Sequence, residues 1–217
     1  HLPAILKGLR RCKKEIKDWR PDCVILIDYP GFNMKMAKYV HGQNICPVYY
    51  YIAPKIWAWK EYRIKSIRRY VDRLFSILPF EVEFFEQKHH YPISYVGNPS
   101  VEEVVRFKSS YKTTFADFSE QHGLEKNRKI IALLAGSRAS EIERNLIKVI
   151  RAAHPLLQKT YQLVIACAPA VNPAFYEKVL AQLTADERAH LHLVLNETYP
   201  LLSHATAALV TSGTATL

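Results

Sequence analysis

Leu133-Leu134-Ala135-Gly136-Ser137-Arg138 is an apolar run that stops at a glycine, a hydroxyl and an arginine, and Ala139-Ser140-Glu141-Ile142 begins a helix directly after it. Ser140 and Glu143 have the S-x-x-E spacing of a capping box, which supports a helix start here. A strand that runs straight into a helix presents backbone N–H groups at one point, and the guanidinium of Arg138 suits a phosphate placed there. A simpler interpretation is also open, in which Gly136 only allows the turn and Arg138 pairs with Glu141.

Apolar runs alternate with helical periodicity on both sides of this junction. Strands are predicted at 23–27, 47–52, 73–78, 93–96, 129–135, 161–167, 191–195 and 206–211. This alternation indicates parallel sheets with right-handed crossovers. The first strand is apolar on both faces and is predicted to be fully buried. The fold class is therefore α/β, with two Rossmann-like doubly wound domains: 1–105, a polar linker at 106–128 with one short helix near 115–122, and 129–217.

Polar residues stand directly after three predicted strands, where open parallel sheets bind their ligands. Asp28 follows the first strand, Ser137 and Arg138 follow the fifth, and Ser212-Gly213-Thr214 follows the eighth. Asp28 can act as a general base or merely cap the next turn. The two loops of the second domain could face one pyrophosphate. Neither loop has the G-x-x-x-x-G-K-[ST] or G-x-G-x-x-G pattern, which argues against a P-loop NTPase and a dinucleotide-dependent dehydrogenase.

Two tryptophans, Trp57 and Trp59, precede a basic helix that carries Arg63, Arg68 and Arg69. Such a segment can sit at a membrane interface or stack on a sugar or a base. Equally, the tryptophans can pack against the sheet while the basic residues form a solvated helix face.

The net charge of +10 is concentrated in the first half of the chain, because residues 1–108 have 19 Lys and Arg against 11 Asp and Glu. Nucleic acid, an anionic membrane surface and a phosphorylated substrate are the candidate partners. The four cysteines form no C-x-x-C pair and the histidines have no metal-ligand spacing, so no metal site is expected. No apolar run approaches the roughly 20 residues that span a bilayer.

Six motifs, taken together, resemble the lipid-A-disaccharide synthase family in sequence and in order. They are Ile27-Asp28-Tyr29-Pro30-Gly31-Phe32-Asn33, Tyr51-Ile52-Ala53-Pro54 running into Trp57-Ala58-Trp59, Leu78-Pro79-Phe80-Glu81, Val96-Gly97-Asn98-Pro99, Leu134-Ala135-Gly136-Ser137-Arg138 with Glu141-Ile142, and Thr211-Ser212-Gly213-Thr214-Ala215-Thr216-Leu217. The resemblance implies a GT-B glycosyltransferase that joins UDP-2,3-diacylglucosamine to 2,3-diacylglucosamine 1-phosphate and releases UDP, without a cofactor or a metal. It also implies a cytoplasmic enzyme peripheral to the inner membrane of Gram-negative bacteria, a possible homodimer, and a chain truncated at both ends.

The resemblance also assigns expected roles to individual residues. Asp28 matches the acid that serves as base or orients the acceptor hydroxyl, and Arg138 matches the arginine that neutralises the departing pyrophosphate. The other substrate-binding residues expected are Gly136, Ser137, Glu141, Ser212, Gly213, Thr214 and Asn98. Trp57, Trp59, Arg63, Arg68 and Arg69 are expected to contact the membrane or the acceptor.

Three positions depart from the family pattern: Gly31 stands where many members have a second acid, Ala135 replaces a usual Pro, and Asn98 replaces a usual His. The last change argues against acid–base chemistry at position 98. A UDP-sugar 2-epimerase of the same architecture is the rival enzyme. A nucleic-acid-binding module is the rival that is not an enzyme, and no RRM, KH or helix-turn-helix signature supports it.

Overall fold

The computed structural model describes residues 2–211, which form two compact units that divide between Glu102 and Glu103. Each unit is built on its own four-stranded sheet, and all the strands in both sheets are parallel. The predicted α/β class with two Rossmann-like units is therefore confirmed. In the part of the chain that is described, no helix is both long and apolar enough to cross a membrane.

The first unit has the strand order β1-β2-β3-β4. Its elements are α1 (Leu2–Trp19), β1 (Val24–Ile27), α2 (Pro30–Gly42), β2 (Val48–Tyr51), a 3₁₀ turn (Glu61–Arg63), α3 (Ile64–Tyr70), β3 (Arg73–Ser76), α4 (Phe80–Glu83), a π-helical turn (Phe84–Lys88) and β4 (Ser94–Tyr95). Helix α5 (Pro99–Ser110) starts here and continues past the boundary. The core forms where Val40, Tyr50, Ile67, Leu74 and Phe85 pack together.

Strand β1 differs from its prediction as a fully buried strand. Leu26 is buried, but Ile25 and Ile27 are 59% and 58% exposed, and Cys23 before them is exposed as well. Among the described strands β1 pairs only with β2, so it forms one edge of the sheet. The alternating side chains of a strand reach both faces, and in the described chain only the Leu26 face of β1 meets the core.

The second unit has the strand order β7-β6-β5-β8. Its elements are α6 (Phe115–Gln121), β5 (Lys129–Leu134), α7 (Ala139–Ala153), a 3₁₀ turn (His154–Lys159), β6 (Tyr161–Cys167), α8 (Pro173–Leu180), α9 (Ala185–Arg188), β7 (Leu191–Leu195), α10 (Thr198–His204) and β8 (Ala205–Val210). Alternate residues of β5 serve two cores: Ile131 and Leu133 face α7, while Ile130 and Ala132 pack with Phe118 and Leu201. The sheet is thus covered on both faces, as in doubly wound folds.

The segment 106–128, predicted as a polar linker with one short helix near 115–122, is helical over about half its length. It contains the last turns of α5 and all of α6, which the Thr114 side chain caps by accepting the Asp117 N–H at 3.2 Å. Phe118 of α6 is fully buried in the second unit. The segment has a polar composition because these helices have exposed faces. Structurally, residues 106–128 belong to the second unit.

In the second unit the order of the strands reverses direction between β5 and β8. The chain moves from β5 outward to β6 and β7, and then returns to the other side of β5 as β8. This reversal is the topological switch point at which doubly wound sheets bind ligands, beyond the carboxyl ends of the two strands.

Candidate functional site

The Gly136–Arg138 loop lies at that switch point and wraps around a carboxylate from its own helix. Glu141 accepts the Ser137 backbone N–H at 2.9 Å and pairs with the Arg138 guanidinium at 3.0 Å. The Ser137 N–H bond is the main cause that lowers the pKa of Glu141 below its usual value. The simpler interpretation of Arg138 as a partner of Glu141 is therefore observed, and it places an anion among the donors of the loop.

Gly136 is required by this packing. Its φ of +138° is strained for any L side chain, and a Cβ added there would lie 2.6 Å from the Cβ of Glu141. A side chain at position 136 would therefore strain the loop and push Glu141 away.

The start of α7 differs from the predicted capping box. Arg138 is the N-cap residue and makes no side-chain cap, so Ser140 already lies inside the helix. The acid that reaches back to the loop is Glu141, two residues before the predicted Glu143. No side chain or carbonyl among residues 2–211 accepts the N–H of Ala139 or Ser140. Those two donors and the helix dipole favour an anion at this end of α7.

A cavity of about 450 Å³ opens beside the loop. Ser137, Arg138 and Ala139 line one side, and residues 170–172 with Phe175, which come after β6, line the other. This volume falls within the usual range for small-molecule sites. The Arg138 side chain is 78% exposed, so its guanidinium is free to turn toward a ligand.

The second loop of this unit is described only as far as its first residue. Thr211 donates its backbone N–H to the Leu134 carbonyl at 3.0 Å, and Val210 pairs in register with Leu134. The chain that leaves β8 therefore starts beside the strand that leads into Gly136. Ser212, Gly213 and Thr214, predicted to bind the nucleotide, lie outside the described residues.

Each of the four motifs of the first unit follows a strand of one parallel sheet. They therefore lie at the same end of the sheet, beyond the carboxyl ends of the strands. Asp28 follows β1, Trp57 and Trp59 follow β2, Glu81 follows β3, and Asn98 follows β4. The register aligns Ile27 with Tyr51, Tyr51 with Phe75, and Ser76 with Tyr95.

Asp28 is held by its backbone while its carboxylate is left free. Its carbonyl accepts the Tyr50 hydroxyl at 2.6 Å and the Asn33 amide at 2.7 Å, and Asn33 also bonds the Ile27 carbonyl at 2.9 Å. Burial, followed by the nearby Asp28 charge, raises the pKa of Tyr50, which keeps its hydroxyl a donor. Within residues 2–211 the exposed Asp28 carboxylate makes no hydrogen bond or ion pair.

Three of the ten non-glycine residues that have a positive φ in the described chain lie at the same place. Asp28 and Tyr29 have φ values of +47° and +43°, and Ile52 at the end of β2 has +63°. Left-handed conformations of this kind are uncommon for residues other than glycine, and they persist where surrounding contacts enforce them. At Asp28, Asn33 and Tyr50 supply such contacts by donating to its carbonyl. Neither residue was predicted to have a role, although Asn33 belongs to the motif that contains Asp28.

Some of the remaining residues predicted to bind substrate or membrane make contacts within the fold, and others are exposed. Asn98 caps α5 by accepting the Ser100 N–H at 3.0 Å. Arg68 donates to the His89 carbonyl, and Arg69 lies 5.5 Å from the Tyr70 ring. Trp59 is 60% exposed, with Lys60 at 4.0 Å and Arg63 at 5.6 Å from its ring. No three His, Cys, Asp or Glu side chains cluster at metal-binding distance anywhere in the described chain.

Comparison with known proteins identifies relatives along the whole chain. A family model described as lipid-A-disaccharide synthetase matches residues 1–217. The lipid-A-disaccharide synthases of Acidobacterium capsulatum and Syntrophus aciditrophicus are each 37% identical, over 226 and 218 residues that cover 100% of this chain and 54% of each relative. The chain thus spans about half the length of these relatives.

Among solved structures, UDP-GlcNAc 2-epimerase from Neisseria meningitidis bound to UDP-GlcNAc matches with a TM-score of 0.61. The match covers 96% of this chain and 59% of that one at 16% sequence identity. Because the sequence identity is only 16%, this similarity shows a shared fold and nothing about the reaction. It supports the two-domain Rossmann-like architecture and does not favour the epimerase reaction.

Proposed function

This chain belongs to the lipid-A-disaccharide synthase family, and on that premise we propose that the protein joins UDP-2,3-diacylglucosamine to 2,3-diacylglucosamine 1-phosphate and releases UDP. The observation that carries the proposal is the Gly136–Arg138 loop at the switch point. There, the Ser137 N–H and the Arg138 guanidinium already hold a carboxylate, and the N–H groups of Ala139 and Ser140 at the start of α7 have no acceptor among residues 2–211. A diphosphate carries more negative charge than that carboxylate and would bind to Arg138 and these two N–H groups.

On the donor side, negative charge grows on the diphosphate as the bond from its oxygen to the sugar carbon breaks. Arg138 and the free N–H groups of Ala139 and Ser140 stabilise that charge more in the transition state than in the bound substrate. Because Glu141 holds Ser137 in place, the loop keeps its shape before the ligand arrives. Ser212, Gly213 and Thr214 are assigned to the same diphosphate by family resemblance, and β8 leads the chain toward it.

On the acceptor side, Asp28 takes the proton from the attacking sugar hydroxyl. The oxygen of that hydroxyl forms the new glycosidic bond on the face opposite the departing UDP, so the configuration at the sugar carbon inverts. An exposed carboxylate without a partner in the described chain is available for this proton. The bonds from Asn33 and Tyr50 to its carbonyl hold the backbone that carries this side chain.

The membrane is the proposed source of both acylated substrates. Trp59, Tyr62 and Phe80 are 60%, 67% and 48% exposed, and Lys60 and Arg63 lie against the Trp59 ring. Exposed aromatic rings among basic side chains suit an anionic membrane interface. Homodimer formation is proposed from family resemblance alone, and light scattering of the full-length protein tests it.

Acceptor-dependent UDP release by the full-length protein tests the function. The expected result is UDP formation only when 2,3-diacylglucosamine 1-phosphate accompanies the UDP-2,3-diacylglucosamine donor, together with a disaccharide product. UDP-GlcNAc alone serves as the control for the epimerase reaction. Conversion of UDP-GlcNAc to its 2-epimer, with no acceptor-dependent UDP release, would contradict the proposal.

A further inference from the structure

Trp57 and Trp59 are only two residues apart, yet they are held in opposite ways. Trp59 is 60% exposed, and the cationic side chains of Lys60 and Arg63 lie 4.0 and 5.6 Å from its ring. Trp57 is 39% exposed, and its ring meets Phe80 edge-on at 5.0 Å. Its indole N–H donates to Glu81 at 2.9 Å. Trp57 therefore has one fixed orientation, while part of its ring remains open to solvent.

Glu81 is the group that fixes it. This side chain is 1% exposed, and each of its carboxylate oxygens has one partner: Oε1 accepts the Trp57 indole N–H, and Oε2 accepts the Ser76 hydroxyl. Ser76 is fully buried at the end of β3 and also accepts the Leu78 N–H at 3.0 Å. The buried carboxylate thus links the loop that follows β2 to the end of β3 through side-chain hydrogen bonds.

Burying a carboxylate is costly unless its oxygens are bonded, so a buried acid at this edge needs an explanation. Glu81 has no part in the proton transfer or in the stabilisation of the diphosphate. An apolar side chain of similar size would fill the same space at lower cost. What such a side chain could not do is hold the single N–H of an indole in one direction.

We propose that Glu81 is a positioning residue that fixes the Trp57 indole as a rigid stacking face for the sugar ring of the acceptor, an inference that rests on the proposed transferase function. Trp57 and Asp28 follow the neighbouring strands β2 and β1, so the ring and the base lie at the same end of the sheet, beyond the carboxyl ends of these strands. Aromatic rings bind amphipathic partners through their faces, and a ring that is already oriented loses little entropy on binding.

Acceptor titrations of the full-length protein, followed by tryptophan emission, test this role directly. Glu81→Met keeps the volume but leaves the Trp57 N–H without an acceptor, whereas the Ser76 hydroxyl can still donate to the Leu78 carbonyl at 2.8 Å. We expect acceptor Kd and KM to rise about tenfold with kcat nearly unchanged. Glu81→Gln still accepts the indole N–H and should stay within about threefold of the parent protein. Trp19→Phe, at an 81% exposed position, is the control for loss of a tryptophan.

A double-mutant cycle with Trp57→Ala separates positioning from a general structural effect. If Glu81 acts through the ring, adding Glu81→Met to Trp57→Ala changes acceptor Kd by less than about twofold. A full tenfold effect in that background, or an unchanged acceptor Kd in Glu81→Met alone, would overturn the proposal.

The emission spectrum provides a readout that does not depend on catalysis. Glu81→Met should shift the emission to longer wavelength, and the shift should be absent when Trp57→Phe is also present. If the parent protein released no UDP, the proposed function would fail. The acceptor titration would still decide whether Trp57 binds the sugar.

Discussion

The Gly136–Arg138 loop and the Asp28 turn each follow the carboxyl end of a strand in their respective sheets but are built in opposite ways. Both follow a parallel strand at its carboxyl end. In the loop, backbone and side-chain donors converge on the internal anion Glu141. In the turn, hydrogen bonds hold the backbone, and the carboxylate of Asp28 has no partner in the described chain. The difference indicates that the loop is shaped to receive negative charge and the turn is shaped to present it.

The largest effect is expected at Asp28. Asp28→Asn keeps the shape of the side chain but removes the base, and kcat should fall about 10³-fold, within the usual range for general base catalysis. Steady-state UDP release by the full-length protein measures the loss, with circular dichroism as the folding control. Activity within tenfold of the parent protein would exclude Asp28 as the base.

Arg138→Ala should lower kcat by about 10²–10³, because one preorganised donor to the developing charge is lost. Arg138→Lys is the matched variant: it keeps the charge but not the planar fork, so it should recover only part of the rate. Equal rates for the alanine variant and the parent protein would remove the guanidinium from the mechanism.

Gly136→Ala should destabilise the second unit by about 2–4 kcal/mol, because both its φ and its contact with Glu141 oppose a side chain. Gly123→Ala is the control, since Gly123 also has a positive φ, of +62°, but has open space around its Cβ position. Its expected cost is about 1 kcal/mol. Urea unfolding of both variants measures the difference, and equal costs would show that the Glu141 contact does not matter.

Asn33→Ala should cost about 1–2 kcal/mol of stability, because the Ile27 carbonyl loses its bond to Asn33 and the Asp28 carbonyl keeps only its bond to Tyr50. It should also slow turnover roughly tenfold by releasing the strained Asp28 backbone. Tyr50→Phe removes one bond to the same carbonyl and should have a smaller effect on both quantities. If Asn33→Ala lost stability while kcat stayed at the parent value, the turn would not need to be held for catalysis.

The smallest effect concerns pH. Because the Ser137 N–H and then Arg138 lower the pKa of Glu141 in the folded state, its stabilising effect is present above the ordinary carboxyl value of 4.5. That stabilising effect is lost as the pH falls through the lowered pKa that Glu141 has in the folded state. The stability difference between the parent protein and Glu141→Gln should therefore be constant from pH 7 to 6 and shrink below pH 4.5. A difference that does not change with pH would mean that the carboxylate is not held by the loop.

Local patterns in the sequence predicted most of the fold. Strands β6 and β7 were predicted with the bounds that the structure shows, because short, strongly apolar runs between turn residues leave little ambiguity. Helix α5 was missed although Val101, Val104 and Val105 have helical spacing, because the polar composition of residues 106–128 was interpreted as a linker. None of the α5 residues is buried in the structure. The exposure of Ile25 and Ile27 depends on which elements cover β1, and the composition of a single strand carries no such information.

The site was predictable in its positions and less so in its interactions. The junction at Gly136 and the turn at Asp28 were located by the residues that follow each strand. The Arg138–Glu141 pair was one of the two interpretations that the sequence left open, and it is observed. The bond from the Ser137 N–H to Glu141 was not predicted, because the capping spacing of Ser140 and Glu143 indicated a helix start two residues further on. Asn33, Tyr50 and Glu81 act through partners 5 or more residues away in sequence, and only the folded chain brings those partners together.

Titration of UDP into the full-length protein tests the contrast between the loop and the turn most directly. If the loop binds the diphosphate and the turn serves the acceptor, Arg138→Ala should raise the Kd for UDP at least tenfold, whereas Asp28→Asn should leave it within about twofold. A UDP affinity that falls in Asp28→Asn and is unchanged in Arg138→Ala would contradict the assignment of the two sites.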